Sequence, residues 1–215
     1  NNKSLIQNII DNAYKSKIKK IDIITGFKPN NIKKDLKDYQ NISFINNSKY
    51  NTTDMVYSAF LGLKKSKTDT IISYTDIIYT DKIFDTLSSS SKKFITIPYI
   101  KNWKYVWKKR NKDIFDDAET FMISGKNNLK EIGNKINKKN LKLIDGQFMG
   151  IIYIPKKHLN LVISFYKNYN NKLQFTNFLN KLINHKVKIS CLEYKNFWYE
   201  IDDFEDYKNI SKLIK

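Results

Sequence analysis

Two aspartates stand directly after apolar segments, where a carboxylate could hold a metal ion. Asp76 lies inside the segment DTIISYTDIIY (69–79), and Asp202 follows WYEI (198–201). Each segment is typical of a buried β-strand, and open α/β sheets bind ligands at the carboxyl ends of their strands. Mg²⁺ is commonly held by one or two carboxylates together with phosphate oxygens. Two aspartates on adjacent strand ends could therefore hold one Mg²⁺ on a nucleotide.

Both aspartates also have a simpler interpretation. Asp76 could cap the turn after its strand, as aspartates often do. Asp202 could cap the helix that the sequence DDFED (202–206) predicts. The spacing of the two residues does not decide between a metal site and two caps.

Other familiar catalytic arrangements are missing from the sequence. It contains no Gly-rich phosphate loop. The only two histidines, His158 and His185, lie in or near predicted helices and have no apparent serine or cysteine partner. The lone Cys191 excludes an intrachain disulfide and a cysteine-based zinc site, and we expect it to pack as a small apolar residue.

The elements that must position the aspartates alternate between helix and strand. Apolar periodicity predicts three helices, from Ser4, Pro29 and Asp54, and three strands, at 21–24, 42–45 and 69–79. This order favours a three-layer α/β sandwich with a mixed, mostly parallel sheet. Further along, a strand at 94–97 should end at Pro98, and a β-hairpin should turn at 124–127. We predict one domain over residues 1–215.

The charge and hydropathy of the chain limit its function class. The net charge is +18, but 38 of the 39 basic residues are lysines spread along the chain. This charge favours anionic ligands, although readers of phosphates and bases usually rely on arginine. No run of eighteen apolar residues occurs, so we expect no membrane span. The single cysteine suits a cytoplasmic protein.

The segment KNWKYVWKKR (101–110) combines aromatic and basic residues. Trp103 and Trp107 are four residues apart and share one helical face. They could cover an edge of the core while the lysines remain solvated. They could also form a wall over a substrate, and aromatic rings stabilise quaternary ammonium groups. With Tyr105 they could instead stack on bases, which keeps a basic nucleic-acid-binding module as an alternative function.

Several segments resemble, in the same order, the nucleotidyltransferases that act on sugar phosphates and phosphocholine. The similar segments are ITGF (24–27), KYNTTDMVYSAF (49–60), ISYTDIIY (72–79), DDAETF (116–121), LKEIGNK (129–135), DGQFMGIIYI (145–154) and WYEIDDFEDY (198–207). The resemblance is strongest to the cytidylyltransferases that activate phosphocholine, aminoethylphosphonate or phosphoglutamine.

This resemblance implies a role for each matching residue. The implied Mg²⁺ ligands are Asp76 and Asp202, the nucleotide side holds Asn51, Thr53 and Ser58, and the side of the phosphorylated substrate holds Glu119, Glu131 and Lys135. In the implied reaction, a phosphate or phosphonate oxygen attacks the α-phosphorus of CTP and pyrophosphate leaves. The implied partners are an NTP and a small phosphorylated or phosphonate acceptor. Neither a membrane nor a nucleic acid is expected, and a homodimer is left open.

The most serious departure from the family pattern concerns the start of the domain. The family begins with a strand inside the sheet and a Gly-rich loop that grips the triphosphate, and nothing similar occurs in these 215 residues. The resemblance therefore predicts an N-terminally incomplete domain with little activity as it stands. A glycosyltransferase of the same fold is a further alternative. It would carry a DxD-like pair, whereas Asp76 stands alone until Asp81.

Overall fold

The computed structural model describes residues 3–90, 92–110, 113–169 and 172–213. The helices within these ranges are α1 (Leu5–Lys15), α2 (Pro29–Asp35), α3 (Met55–Leu63), α4 (Lys82–Ser89), α5 (Trp103–Arg110), α6 (Lys156–Tyr166), α7 (Phe175–Asn184) and α8 (Phe204–Leu213). The strands are β1 (Ile21–Thr25), β2 (Ile42–Asn46), β3 (Thr70–Ser73), β4 (Ile77–Tyr79), β5 (Ile95–Ile100), β6 (Glu119–Ser124), β7 (Asn128–Lys135), β8 (Gln147–Phe148), β9 (Ile151–Ile154), β10 (Ile189–Glu193) and β11 (Trp198–Glu200).

Strand β9 shows that helices cover both faces of the main sheet. Ile151 and Tyr153 belong to a core that includes side chains of α4 and α5, whereas Ile152 and Ile154 belong to a core with α3, α6 and α7. Successive side chains of a strand point to opposite faces, so the sheet is the middle layer between two sets of helices. The predicted three-layer α/β sandwich is confirmed.

The main sheet is mixed, with the strand order β3-β9-β5-β10-β7-β6 and β8 paired beside β5. Four of the strands, β3, β5, β10 and β6, run in one direction, and β9 and β7 run in the other. In this sheet only β5 and β10 form a parallel pair among the described strands. The mixed sheet was predicted correctly, but its neighbouring pairs are mostly antiparallel rather than mostly parallel.

The segment 69–79 is two strands and not one. Strand β3 pairs with β9 in the main sheet, whereas β4 pairs with β11 in a separate antiparallel ribbon. Residues 74–76 form the bend between them. The apolar runs on both sides of Asp76 suggested a continuous strand because each run alone has strand character. Their different partners are what separate them.

Strand β5 continues through Pro98, contrary to the prediction that it ends there. Pro98 lies opposite Leu192 of the parallel neighbour β10. On the other side of β5, β9 pairs at Thr96 and β8 pairs at Tyr99 and Ile100, so the described pairs on that side pass over Pro98. Proline lacks an N–H donor, and a gap between two partner strands tolerates it.

Strands β1 and β2 form a parallel pair of their own, beside a small core of Ile10, Ile23 and Leu36. Helix α3 connects this pair to the main body of the protein. Its Gly62 lies against Ile24 of β1, and its Phe60 lines an apolar cavity together with Ile72 of β3.

Two local predictions are confirmed. The Ser4 hydroxyl accepts the backbone N–H of Gln7 at 3.4 Å and caps α1. Strands β6 and β7 form the predicted antiparallel hairpin. Among the described helices, none is both long and apolar enough to cross a bilayer.

Candidate active site

The β4–β11 ribbon brings Asp76 and Asp202 to adjoining strand ends. Ile77 pairs with Glu200, and one step further the Ile201 N–H donates to the Asp76 carbonyl oxygen at 2.8 Å. The two aspartates therefore flank the same end of the ribbon although 125 residues separate them in the sequence. Asp76 is exposed, and the Asp202 side chain is 40% exposed, so both carboxylates can meet a ligand from solvent.

The electrostatics of this pair suit a bound cation. Partial burial of its carboxylate raises the pKa of Asp76, and the negative charge of Asp202 raises it further, while Arg110 opposes both effects. A divalent cation between the two carboxylates would relieve their repulsion. Within the described ranges, no three His, Cys, Asp or Glu residues are arranged as a complete metal site. The residues present thus fit an ion that takes two carboxylates and completes its shell with phosphate oxygens and water, as Mg²⁺ does.

The structure assigns the capping of α8 to Asp203 rather than to Asp202. The Asp203 Oδ1 accepts the backbone N–H of Asp206 at 2.9 Å, which is the bond of an N-cap residue. Asp206 in turn accepts the backbone N–H of Asp202 at 3.1 Å through Oδ2. The simpler interpretation of Asp202 as the helix cap is therefore wrong.

Arg110 is a component of the site that the sequence did not reveal. Its side chain is fully buried, and its three guanidinium nitrogens contact carboxylates that all follow α5 in the sequence. The four acidic partners are Asp117, Glu200, Asp202 and Asp206. It is the only arginine in the chain, and this is the one sequence feature that distinguishes it from the other basic residues. In the sequence it stands among the lysines of the basic segment 101–110.

Glu200 and Tyr74 lie in the same region, and both have raised pKa values. Burial raises the pKa of Glu200 to about 7, because the single charge of Arg110 does not offset both burial and the neighbouring carboxylates Asp202 and Asp76. Burial also raises the pKa of Tyr74, and the nearby charges of Asp76, Glu200 and Glu119 add to the effect. Tyr74 is thus close to acidic groups from three segments of the chain.

Gly150 allows the chain to approach Tyr74 closely. The Tyr74 N–H donates to the Gly150 carbonyl oxygen at 2.9 Å, and a Cβ on Gly150 would lie 2.9 Å from the tyrosine ring. Its φ of +74° also favours glycine. Both the close contact and the backbone conformation therefore require glycine at position 150.

Thr53 and Ser58, predicted on the nucleotide side, are held together by Asn47. The Asn47 amide nitrogen donates to the Thr53 hydroxyl at 3.0 Å and to the Ser58 hydroxyl at 3.1 Å. Its amide oxygen accepts the Lys49 N–H at 3.0 Å, and the residue is 2% exposed. Asn51 lies in the exposed turn between these residues. No local sequence pattern singles out Asn47, because its role comes from contacts with three residues of the folded loop.

The three residues predicted on the acceptor side are divided along the hairpin. Glu119 and Lys135 face each other in the β6–β7 register, at the open end of the hairpin. The charge of Glu119 contributes to the raised pKa of Tyr74, so this end of the hairpin is close to Tyr74. Burial raises the pKa of Glu119, and the Thr176 side chain opposes the shift by hydrogen bonding to it. Glu131 lies further along β7, opposite Met122. The structure thus brings Glu119 and Lys135 together and leaves Glu131 apart from them.

Trp103 and Trp107 are core residues. They are 2% and 4% exposed, and Trp107 stacks on Trp198 with ring centroids 6.3 Å apart. The core-packing interpretation therefore describes both side chains better than a wall over a substrate. Tyr105 alone of the three rings is exposed, at 60%, so the proposed stacking platform for a nucleic acid does not form.

Cys191 is also buried, as expected. Burial raises its thiol pKa to about 12, so it is protonated at neutral pH and behaves as a small apolar residue.

Comparison with solved structures defines the class of fold. The inositol-1-phosphate CTP transferase from T. maritima superposes with a TM-score of 0.75 over 98% of this chain and 83% of its own, at 16% identity. The CTP:phosphocholine cytidylyltransferase from Streptococcus pneumoniae gives a TM-score of 0.71 over 100% of this chain and 87% of its own, also at 16% identity. The fold is therefore that of the nucleotidyltransferases.

Sequence comparison narrows this class to a family. The chain is 30% identical to the CTP:phosphoglutamine cytidylyltransferase of Campylobacter jejuni over 222 residues, which cover 95% of this chain and 86% of the relative. No protein-family model matches the sequence. The chain belongs to the cytidylyltransferase family, and the predicted family and enzyme class are confirmed.

Proposed function

We propose that this protein transfers the cytidylyl group of CTP to a small phosphorylated or phosphonate acceptor and releases pyrophosphate. The observation that carries the proposal is the position of Asp76 and Asp202 at the same end of the β4–β11 ribbon. Family membership supports the reaction, because relatives named for phosphoglutamine, phosphocholine and inositol 1-phosphate share CTP as the second substrate.

In this proposal, the protein positions its substrates and compensates their charge. Asp76 and Asp202 would hold Mg²⁺, which supplies positive charge for the α-phosphate of the nucleotide when it is bound. The acceptor phosphate provides the attacking oxygen and pyrophosphate carries away the displaced electron pair, so no covalent enzyme intermediate is needed.

The nucleotide would lie along the loop that Asn47 organises. Asn47 fixes Thr53 and Ser58 with two donated hydrogen bonds, so their hydroxyl oxygens are held in place before the nucleotide arrives. Asn51 occupies the exposed turn of the same loop, where its amide can contact a ligand. This arrangement supports the assignment of all three residues to the nucleotide side.

The acceptor would lie between the Glu119 end of the hairpin and Tyr74. Lys135 stands opposite Glu119 and offers a positive charge for a phosphate or phosphonate group. Glu119 and Glu200 surround Tyr74 with negative charge, which suits an acceptor that also carries a cationic nitrogen. We retain Glu131 as a residue of the outer hairpin, further from this pocket.

We further propose that a strand from outside the 215 residues completes the sheet between β1 and β3. Among the described strands, β1 pairs only with β2, and β3 pairs only with β9. Helix α3 lies against Ile24 of β1 and lines an apolar cavity together with Ile72 of β3, so it can cover a strand between them. Such a strand, with its loop, would supply the triphosphate contacts that the family resemblance predicts. We place the enzyme in the cytoplasm, which suits its reduced, buried Cys191.

The test is pyrophosphate release by the full-length protein. Each of the four NTPs is offered with phosphoglutamine, phosphocholine, aminoethylphosphonate, inositol 1-phosphate and sugar 1-phosphates, with and without Mg²⁺. We expect activity with CTP and one of these acceptors, and only with Mg²⁺.

Paired variants test the site. Asp76→Asn keeps the shape of the side chain and removes its charge, so turnover should fall by about 100-fold or more without loss of folding. Asp85→Asn removes a similar charge from the exposed face of α4 and serves as the control. Silence with every nucleotide and acceptor would refute the proposal, and full activity of Asp76→Asn would refute the site.

A further inference from the structure

Arg110 ends helix α5 and is a fully buried charged side chain near the candidate site. The residue is 1% exposed, and its guanidinium lies over the Trp107 ring at 5.2 Å from the centroid. The other basic residues of α5, such as Lys108 and Lys109, are exposed. The burial of the only arginine, at the end of a helix otherwise rich in lysine, calls for a specific reason.

The guanidinium uses all three of its nitrogens. Nε and Nη2 donate to the two oxygens of Asp206, both at 3.2 Å, as a bidentate pair. Nη1 donates to Glu200 at 2.9 Å and lies 3.5 Å from Asp117. Nη2 also donates to Asp202 Oδ2 at 2.5 Å. One residue thus joins α5, β11, α8 and the segment before β6.

Only the planar fork of arginine matches this set of partners. A lysine ammonium could carry the charge, but it cannot donate two parallel bonds to Asp206 and also reach two other carboxylates in fixed directions. Asp206 is completely buried and anchors the fork. The contact to Asp202 then comes from a group that cannot move freely, whereas Asp202 itself remains partly exposed.

We propose that Arg110 is a positioning residue for nucleotidyl transfer, because it fixes Asp202 through Oδ2 and leaves the second carboxylate oxygen for the cation shared with Asp76. This inference rests on the proposed function. Groups that orient metal ligands in this way typically change metal affinity or activity by about 10–100-fold when they are replaced.

The competing explanation is structural: Arg110 only neutralises the buried Asp206. The two explanations differ in what they predict for a folded variant. A purely structural arginine affects thermal stability and leaves the affinity for a divalent ion unchanged. A positioning arginine affects that affinity even in protein that is fully folded.

The test measures the binding of Mn²⁺ alone, by the EPR signal of the free ion, to full-length wild type, Arg110→Lys and the control Lys109→Gln. Circular dichroism establishes the folded fraction of each protein. For Arg110→Lys we expect about 10–100-fold weaker Mn²⁺ binding and a matching increase in the Mg²⁺ concentration needed for half-maximal turnover. Lys109→Gln removes one exposed charge from the same helix end and should bind Mn²⁺ as the wild type does.

Unchanged Mn²⁺ affinity in folded Arg110→Lys overturns the inference. If that variant does not fold, Asp206→Asn decides. Its amide oxygen can still accept the Asp202 N–H, while its amide nitrogen opposes Nε of Arg110 and disturbs the anchor. Weaker Mn²⁺ binding by this variant supports the inference, and wild-type binding refutes it. Both proposals are supported if the wild-type protein transfers nucleotides and Arg110→Lys, but not the control, needs more metal to do so. Wild-type protein that neither binds Mn²⁺ nor releases pyrophosphate refutes the proposed function instead.

Discussion

Glu200 should make the stability of the folded protein fall as the pH rises. Its pKa is about 7 in the folded protein, against 4.5 for an ordinary glutamate, because burial and the charges of Asp202 and Asp76 outweigh the attraction of Arg110. A group with a raised folded-state pKa binds its proton more tightly when folded. Its contribution to stability is therefore complete below pH 4.5 and is lost as the pH rises through 7.

The size of this effect follows from the two pKa values. A tenfold difference in proton affinity corresponds to about 1.4 kcal/mol, so the interval from 4.5 to 7 is worth roughly 3 kcal/mol. Glu200→Gln removes the ionisable group and keeps an oxygen that can accept from Arg110. We expect this variant to be more stable than the wild type by less than about 1 kcal/mol at pH 5 and by up to about 3 kcal/mol at pH 8.

The assay is urea denaturation of both proteins at intervals from pH 5 to pH 8.5, without divalent ions. Glu205→Gln serves as the control, because it removes a charge from the exposed first turn of α8 and should change stability by less than about 0.5 kcal/mol. A constant difference between Glu200→Gln and wild type over this pH range would refute the reasoning. A less stable variant at pH 8 would show that Arg110 compensates Glu200 fully.

Two other substitutions and one labelling experiment test the remaining assignments. Asn47→Ala removes the donor to the Thr53 and Ser58 hydroxyls and the acceptor of the Lys49 N–H, so we expect the KM for CTP to rise and stability to fall by about 2–4 kcal/mol, measured by kinetics and denaturation. Trp107→Leu empties part of the core beside Trp198 and should cost roughly 2–4 kcal/mol without changing the KM of the acceptor; an acceptor-specific change would return Trp107 to the substrate side. Cys191 should react with a thiol reagent only after unfolding, and rapid labelling of the native protein would contradict its burial.

The fold class and the aspartate pair could be predicted from sequence because their signals are local. The alternation of apolar helices and strands over the first eighty residues is a property of neighbouring residues, and β9 alternates between the two cores as a buried strand must. Asp76 and Asp202 were recognisable because each interrupts or ends an apolar run. Family resemblance then supplied their pairing, which spacing alone left open.

Local signals failed where partners decide the outcome. The segment 69–79 has strand character throughout, but β3 and β4 pair with strands 78 or more residues further along the chain and in different sheets. Pro98 is tolerated within β5 because two different strands, β9 and β8, meet the same edge on either side of it. Neither arrangement is encoded in the residues next to the break or the proline.

The sequence by itself therefore determined the layers of the protein and the two carboxylates at its candidate centre. Only the tertiary structure decided which residues hold those carboxylates in place. Arg110 lies 90 to 96 residues from Glu200, Asp202 and Asp206, and in sequence it is one more cation in a basic segment. Burial in a folded core strengthens charge interactions and makes the geometry of each donor matter. Arg110 resembles a surface residue in the sequence, but its burial among four carboxylates places it at the centre of the candidate site.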